Sequence, residues 1–107
     1  MKIELNIGLN VENGDNSEAA RTNRGISAYL QLSSWAQFGR YAQSNTEETL
    51  ILVCHVQSEE MRELNELIFE LATDLGQDCI AVYNATAMSG ELIGPNVAAW
   101  GTFNPEF

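Results

Sequence analysis

Residues 50–56 read LILVCHV and form the strongest apolar run of the chain. In a β-strand, successive side chains point to opposite faces of the sheet. One face of this run would carry Leu50, Leu52, Cys54 and Val56, and the other face would carry Ile51 and Val53. A strand that is apolar on both faces belongs in the middle of a sheet that is covered on both sides. The run therefore predicts a central strand over residues 49–56.

The flanking segments supply partners for this strand. WAQFGRYAQ at 35–43, followed by the polar turn SNTEE at 44–48, predicts the first arm of a hairpin. At the start of the chain, apolar and polar residues alternate, which is typical of a half-buried strand. Its apolar residues are Ile3, Leu5, Ile7, Leu9 and Val11. The turn formers ENGDNS at 12–17 would end it.

Two segments have helical spacing. The first covers about 22–33, with Thr22 or Asn23 as N-cap, and its apolar residues are Ile26, Tyr29 and Leu30. The second covers about 59–75, between a capping Ser58 and a terminating Gly76. Its buried stripe would consist of Met61, Leu64, Ile68, Leu71 and Leu75.

Two further strands, CIAVYNA at 79–85 and a short one within 88–95, complete the pattern. The order predicts an α+β, ferredoxin-like βαββαβ sandwich with a short extra C-terminal strand and an extended aromatic tail. Right-handed crossovers would place strands one and three at the centre. A chain of 107 residues forms one domain, here with a core over 1–93 and a tail over 94–107.

Charge is unevenly distributed along the chain. Residues 1–46 hold four basic and four acidic residues, whereas residues 47–107 hold eleven acidic residues against Arg62 alone. The net charge of −10 therefore belongs to the second half. Such a chain would repel nucleic acid and anionic lipid and attract basic surfaces. With no leader-like or membrane-spanning stretch, we expect a cytoplasmic protein that binds neither nucleic acid nor membrane.

Candidate catalytic groups are few. His55 is the only histidine, and its neighbour Cys54 points to the opposite face of the same strand. Cys79 could reach His55 only in one particular strand register, and both cysteines are expected to be buried thiols. No metal or phosphate motif occurs, so we expect no cofactor, no metal site and no enzyme. The alternative enzyme would use Tyr83, His55 or Glu4 on the sheet surface.

The second helix carries an acidic stripe opposite its buried one. Its members, spaced by three or four residues, are Glu59, Glu63, Glu66, Glu70 and Asp74. An ordinary solvated face is one interpretation. Like charges four residues apart destabilise a helix, however, and Asp74 lies at the unfavourable C-terminal end. The stripe is therefore also a candidate binding surface for a basic protein.

The tail GPNVAAWGTFNPEF at 94–107 is aromatic and nearly uncharged. Ile51 and Val53 are expected to lie exposed on the sheet face opposite the helices. The tail would cover this face through Trp100, Phe103 and Phe107. A second copy packed sheet to sheet is the other candidate cover, and the tail could instead be an arm that binds a partner.

LNIGLN at 5–10, GQDCIAVYN at 76–84 and GELIGPNVAAWGTFNPEF at 90–107 resemble a group of small uncharacterised proteins of phages and prophages. That group ends in a G-x-L-x-G-P…A-A-W-G-x-F-N-P pattern, and the resemblance covers roughly half of the chain. It implies a phage-encoded protein in the host cytoplasm, without implying site residues. By analogy with small acidic phage proteins, it implies an inhibitor or modulator of a host machine, for example an anti-defence or anti-CRISPR protein.

Two functions thus remain open. The first is a small acidic, non-enzymatic protein that binds a basic surface of a host protein through the acidic helix. The alternative is a structural or assembly protein that forms a homodimer or virion contact through its sheet face and aromatic tail.

Overall fold

The computed structural model describes residues 1–44 and 47–99, and these form an α+β domain. The strands are β1 Lys2–Gly8, β2 Ala36–Ser44, β3 Glu47–His55, β4 Ile80–Asn84 and β5 Ser89–Ile93. The helices are α1 Glu18–Gln31 and α2 Met61–Asp74, with short 3-10 turns at Ser58–Glu60 and Val97–Ala99.

The five strands form one antiparallel sheet in the order β2-β3-β1-β4-β5. Both strands predicted to be central, β1 and β3, lie in its interior. The architecture is compatible with a ferredoxin-like class, although β5 extends the element order beyond βαββαβ. β5 pairs with β4 and forms one edge of the sheet, whereas β2 forms the other edge.

The hydrophobic core lies between the sheet and the two helices. The register places Ile3 beside Cys54, and Leu5 between Leu52 and Val82. All five side chains are buried and pack in one cluster with residues of α2. Burial of each large aliphatic side chain stabilises the fold by roughly 1.5–3 kcal/mol. The alternation in β1 therefore separates a core face from the opposite sheet face, here called the open face.

The first helix differs from its prediction in position and in orientation. It begins at Glu18, where the Ser17 hydroxyl accepts a hydrogen bond from the Ala20 N–H. The helix buries the small residues Gly25 and Ala28, and the larger Ile26, Tyr29 and Leu30 are exposed. Small residues permit a close approach to the sheet, so the large side chains point away from it. The apolar residues that predicted this helix are therefore not its core face.

The second helix matches its prediction closely. Leu64, Ile68 and Leu71 are buried as expected. Ser58 lies within the 3-10 turn that precedes α2, rather than at an α-helical N-cap. At the other end, Gly76 has a φ of 70°. The N–H groups of Gly76 and Gln77 donate to carbonyls of the last helical turn, which is a Schellman motif.

A loop between β1 and α1 is organised by one side chain. Nη1 of Arg24 donates to the Leu9 carbonyl at 2.7 Å and to Oδ1 of Asn16 at 3.2 Å, and Nη2 donates to the Asp15 carbonyl. The Asn16 side chain also bonds the Val11 main chain in both directions. β1 consequently ends at Gly8, before the predicted Val11, because the chain turns around the guanidinium.

Candidate protein-binding surface

The acidic residues of α2 and its preceding turn lie on the outer side of the helix. We call this set the acidic face, and its members, all exposed, are Glu59, Glu63, Glu66, Glu70 and Asp74. The opposite side of the helix is anchored in the core by Leu64, Ile68 and Leu71. At a rise of 1.5 Å per residue, the acidic face extends over about 22 Å.

Basic side chains neutralise this face only weakly. Nε of Arg62 lies 3.8 Å from Oε1 of Glu66, and 93% of the Arg62 side chain is exposed. A pair this exposed contributes roughly 0–1 kcal/mol and is screened by salt. The other ion pair among the described residues joins Arg21 to Glu48, between α1 and β3. Most of the negative charge on α2 therefore faces solvent.

Glu60 positions the start of the acidic face. Its Oε1 accepts a hydrogen bond from the Gln57 N–H at 3.0 Å, and its Oε2 accepts one from Nε1 of Trp35 at 3.0 Å. These two bonds, that from Gln57 first, hold the pKa of the Glu60 carboxyl below its usual range. Trp35 is buried, so the turn before α2 is tied to the body of the domain.

Phe69 adds an apolar group beside the acidic face, and the sequence analysis missed it. Its side chain is 46% exposed although phenylalanine usually belongs to a core. It lies between Glu66 and Glu70 in the sequence, on the solvent side of α2. Aromatic residues are the usual anchors of protein–protein contacts. The helical phase could have revealed it, because Phe69 falls outside the stripe defined by Leu64, Ile68 and Leu71.

The open face of the sheet offers less apolar surface than predicted. Ile51 and Val53 of β3 do point to this face. However, Val53 is only 7% exposed and Ile51 is half-buried, so the predicted exposure of Val53 is wrong. Val53 pairs with Glu4 on one side and with Phe38 on the other, and these longer cross-strand neighbours shield it. The tail residues Trp100, Phe103 and Phe107 lie outside the described residues.

The candidate catalytic groups are not arranged as a reactive pair. Cys54 is buried on the core face, and burial raises the pKa of its thiol to about 11. His55 pairs with Lys2, whereas Cys79 precedes β4 near the other end of β1, which separates them by roughly 20 Å along the sheet. Burial, and then the Asp78 carboxylate, also raise the pKa of Cys79. Both thiols are thus disfavoured as nucleophiles.

The alternative enzyme residues do share the open face. Tyr83 pairs with Glu4, and His55 pairs with Lys2 two residues away along β1. His55 is exposed on this surface. General acid–base catalysis requires a substrate that is held within hydrogen-bonding reach of the catalytic side chains. Glu4, His55 and Tyr83, by contrast, lie side by side on the surface of a sheet.

Comparison of the chain with protein-family models, curated proteins and solved structures gives no match. Within residues 1–44 and 47–99, no three His, Cys, Asp or Glu side chains are grouped to hold a metal ion. Neither helix in this part of the chain has the length and apolarity needed to cross a membrane.

Proposed function

We propose that this chain is a non-enzymatic binding protein whose acidic face binds a basic surface of another protein. The observation that carries the proposal is the exposure of all five carboxylates of the acidic face on one side of a helix anchored in the core. A rigid element holds the charges in a fixed pattern, which favours recognition of a complementary surface.

The energetics of the helix support a role beyond solubility. Glu66 lies four residues before Glu70, and Glu70 lies four residues before Asp74. Each pair of like charges at this spacing destabilises a helix by about 0.2–0.5 kcal/mol, whereas a Glu–Lys pair stabilises it by as much. Positive and negative side chains together would make the helix surface equally soluble. The acidic face therefore opposes the stability of its own helix, as expected of a surface kept for binding.

The spacing of the charges favours a protein partner. Carboxylates four residues apart are about 6 Å apart along the helix axis, whereas one strand of B-DNA carries a charge about every 3.4 Å. The acidic face therefore has only a little over half the linear charge density of one DNA strand. A groove lined by Lys and Arg fits it, and the half-exposed Phe69 would contribute an apolar anchor beside the charges.

The biological setting follows from the resemblance to phage and prophage proteins. We propose that the chain is phage-encoded, acts in the host cytoplasm, and inhibits or modulates a host protein, for example one of a defence system such as CRISPR. A basic groove that normally binds nucleic acid is the kind of surface such an acidic protein would occupy.

The test is a matched pair of charge reversals. The partner is captured from host lysate at low salt and identified, and its Kd is measured over a salt series. Glu63→Lys/Glu66→Lys/Glu70→Lys should abolish binding without unfolding the domain, and wild-type binding should weaken steeply with salt. The control Glu12→Lys/Glu18→Lys/Glu91→Lys changes the net charge equally at exposed residues elsewhere and should retain most of the affinity. Unchanged affinity in the first variant, or equal losses in both, would contradict the proposal.

A further inference from the structure

A second apolar surface lies on the opposite side of the domain from β5. We call it the α1–β2 surface, and its members are Ile26, Tyr29 and Leu30 of α1 with Tyr41 of β2. Phe38 of β2 points to the open face, at the same edge of the sheet. Each of these side chains is between 41% and 65% exposed. Large apolar side chains clustered at a surface usually mark a contact. The surface is independent of the acidic face and needs its own explanation.

The α1–β2 surface contains both a cavity and a protrusion. The cavity has a volume of about 230 Å³ and lies between α1 and β2. Two glycines let the elements beside it pack closely, because a Cβ on Gly25 would lie 2.8 Å from Oη of Tyr41, and one on Gly39 would lie 2.8 Å from Cδ2 of Leu52. Leu30, which lines the cavity, is the most exposed member of the surface at 65%. One patch thus carries a protruding leucine and a space large enough to receive one.

β2 also presents a free strand edge. It pairs with β3 on one side, and among the described residues no strand pairs with its other side. Over Ala36–Ser44 it therefore offers a row of backbone donors and acceptors, which is a template for pairing with another strand. The single charged residue of β2 is Arg40.

The charge distribution favours a contact between copies at this edge. Residues 1–46, which include α1 and all of β2, have equal numbers of basic and acidic residues. The net charge of −10 belongs to the rest of the chain, and α2 contacts β4 and β5 near the other edge of the sheet. Two copies that meet at β2 would therefore keep their acidic faces apart.

We propose that the α1–β2 surface binds a second copy of this chain. The β2 strands of the two copies pair antiparallel, which joins the sheets, and Leu30 of each copy packs into the cavity of the other. A two-fold contact requires one patch that is complementary to itself, and a cavity beside a protrusion meets this requirement. The free edge of β2 supplies backbone hydrogen bonds between the two copies, across the two-fold axis that relates them.

The available area is sufficient for such a dimer. The four side chains of the α1–β2 surface, and Phe38 on the open face of the same β2 edge, would each lose roughly 100 Å² of exposed surface. This gives about 1,000 Å² for the two copies together, at the lower limit of specific interfaces. The paired β2 backbones add to this area. We therefore expect a dimer with a dissociation constant of about 1–100 μM.

The test uses two neighbouring residues of α1 in the full chain. Sedimentation velocity of the wild type from about 1 to 200 μM should show a concentration-dependent dimer. Leu30→Lys should weaken dimerisation at least tenfold. Gln31→Lys adds the same charge at the next residue, which is exposed and whose side chain bonds Ser27. This control should dimerise as the wild type does. Hydrogen exchange of the β2 amides should slow with concentration in the wild type and not in Leu30→Lys.

Two results would overturn the proposal. One is a strict monomer over the whole concentration range, as expected if the tail of the same chain or another protein occupies the surface. Another is a dimer that Leu30→Lys leaves intact. Loss of that dimer in Trp100→Ala/Phe103→Ala would assign the contact to the open face and the tail. Circular dichroism of each variant confirms that it is folded.

Discussion

Nε1 of Trp35 donates a hydrogen bond of 3.0 Å to Oε2 of Glu60, across 25 positions of the chain. Trp35 immediately precedes β2, and Glu60 ends the turn before α2. The bond therefore joins the part of the molecule that carries the α1–β2 surface to the part that carries the acidic face. The second oxygen of Glu60 is held by the Gln57 N–H, so the carboxylate is fixed from two sides.

This arrangement predicts a pH-dependent contribution to stability. The pKa of Glu60 is lower in the folded protein, so its ionised form stabilises the fold. The contribution is present above the ordinary glutamate pKa of about 4.3 and is lost as the pH falls through the lowered value. In urea unfolding, the difference between wild type and Glu60→Gln should be constant from about pH 7 to 5 and should shrink below about pH 4. Trp35→Phe should reduce this pH dependence, and a difference that is the same at every pH would contradict the prediction.

The acidic face should oppose folding. Glu70→Lys converts two repulsive pairs, with Glu66 and Asp74, into attractive ones and should raise the unfolding free energy by about 1 kcal/mol at low salt. Glu12→Lys makes the same charge change outside a helix and should have a smaller effect. Chemical denaturation of both variants at low and high salt measures this. If both variants are equally stabilised, net charge rather than helical spacing is responsible.

The hairpin between β4 and β5 contains a strained residue. Met88 has a φ of 56° and an exposed side chain, and the left-handed region costs a residue other than glycine about 1–2 kcal/mol. Asparagine adopts this region more readily. Met88→Asn should therefore stabilise the protein by about 0.5–1 kcal/mol in thermal unfolding. Ala87→Asn, at the neighbouring exposed residue with an ordinary φ, should not, and equal effects would show that the φ angle is irrelevant.

Arg24 should be required for an ordered loop between β1 and α1. Its guanidinium bonds the Leu9 carbonyl, Oδ1 of Asn16 and the Asp15 carbonyl. Arg24→Met should lower the unfolding free energy by about 1.5–3 kcal/mol, because hydrogen bonds made by a charged group are lost. Hydrogen exchange of the amides at 10–16 should accelerate. Arg62→Met removes a fully exposed arginine and should stay within about 0.5 kcal/mol of wild type, so similar losses in both variants would refute this role.

Cys54 should make the protein less stable at alkaline pH. Its pKa is raised to about 11 in the folded state, so folding favours the protonated thiol. The contribution is fully present below the unfolded-state pKa of about 8.5 and is lost as the pH rises toward the folded value, with a slope of up to about 1.4 kcal/mol per pH unit. Cys54→Ala should be less stable near pH 7 and should show a shallower alkaline decline. A decline as steep as that of the wild type would assign it to other groups.

The elements that sequence predicted well are those whose pattern is local. The alternation in β1 and the helical phase of Leu64, Ile68 and Leu71 each specify a buried side directly. The same phase placed the acidic face in solvent, and Gly76 ends α2 because its left-handed conformation suits glycine. These features follow from one segment at a time.

Other features depend on packing between distant segments. Which side of α1 is buried is decided by Gly25 and Ala28, and small residues carry little apolar signal. Only the position of Tyr41 on β2 shows why Gly25 lies against the sheet. Val53 is likewise buried because Glu4 and Phe38 flank it on neighbouring strands. A pattern read along one strand contains no information about its neighbours.

The central position of β1 has a consequence for folding. Ile3 pairs with Cys54 on one side and with Asn84 on the other, so both neighbours of β1 come from far along the chain. The long chain segments that separate β1 from β3 and from β4 must close into loops before β1 gains its contacts. Topologies rich in such long-range contacts fold slowly for their size. During synthesis, β1 would leave the ribosome before both of its partner strands, and its two edges could be paired only after residues 55 and 84 have emerged. The N-terminal strand is therefore the segment that a nascent chain must keep from aggregating for longest.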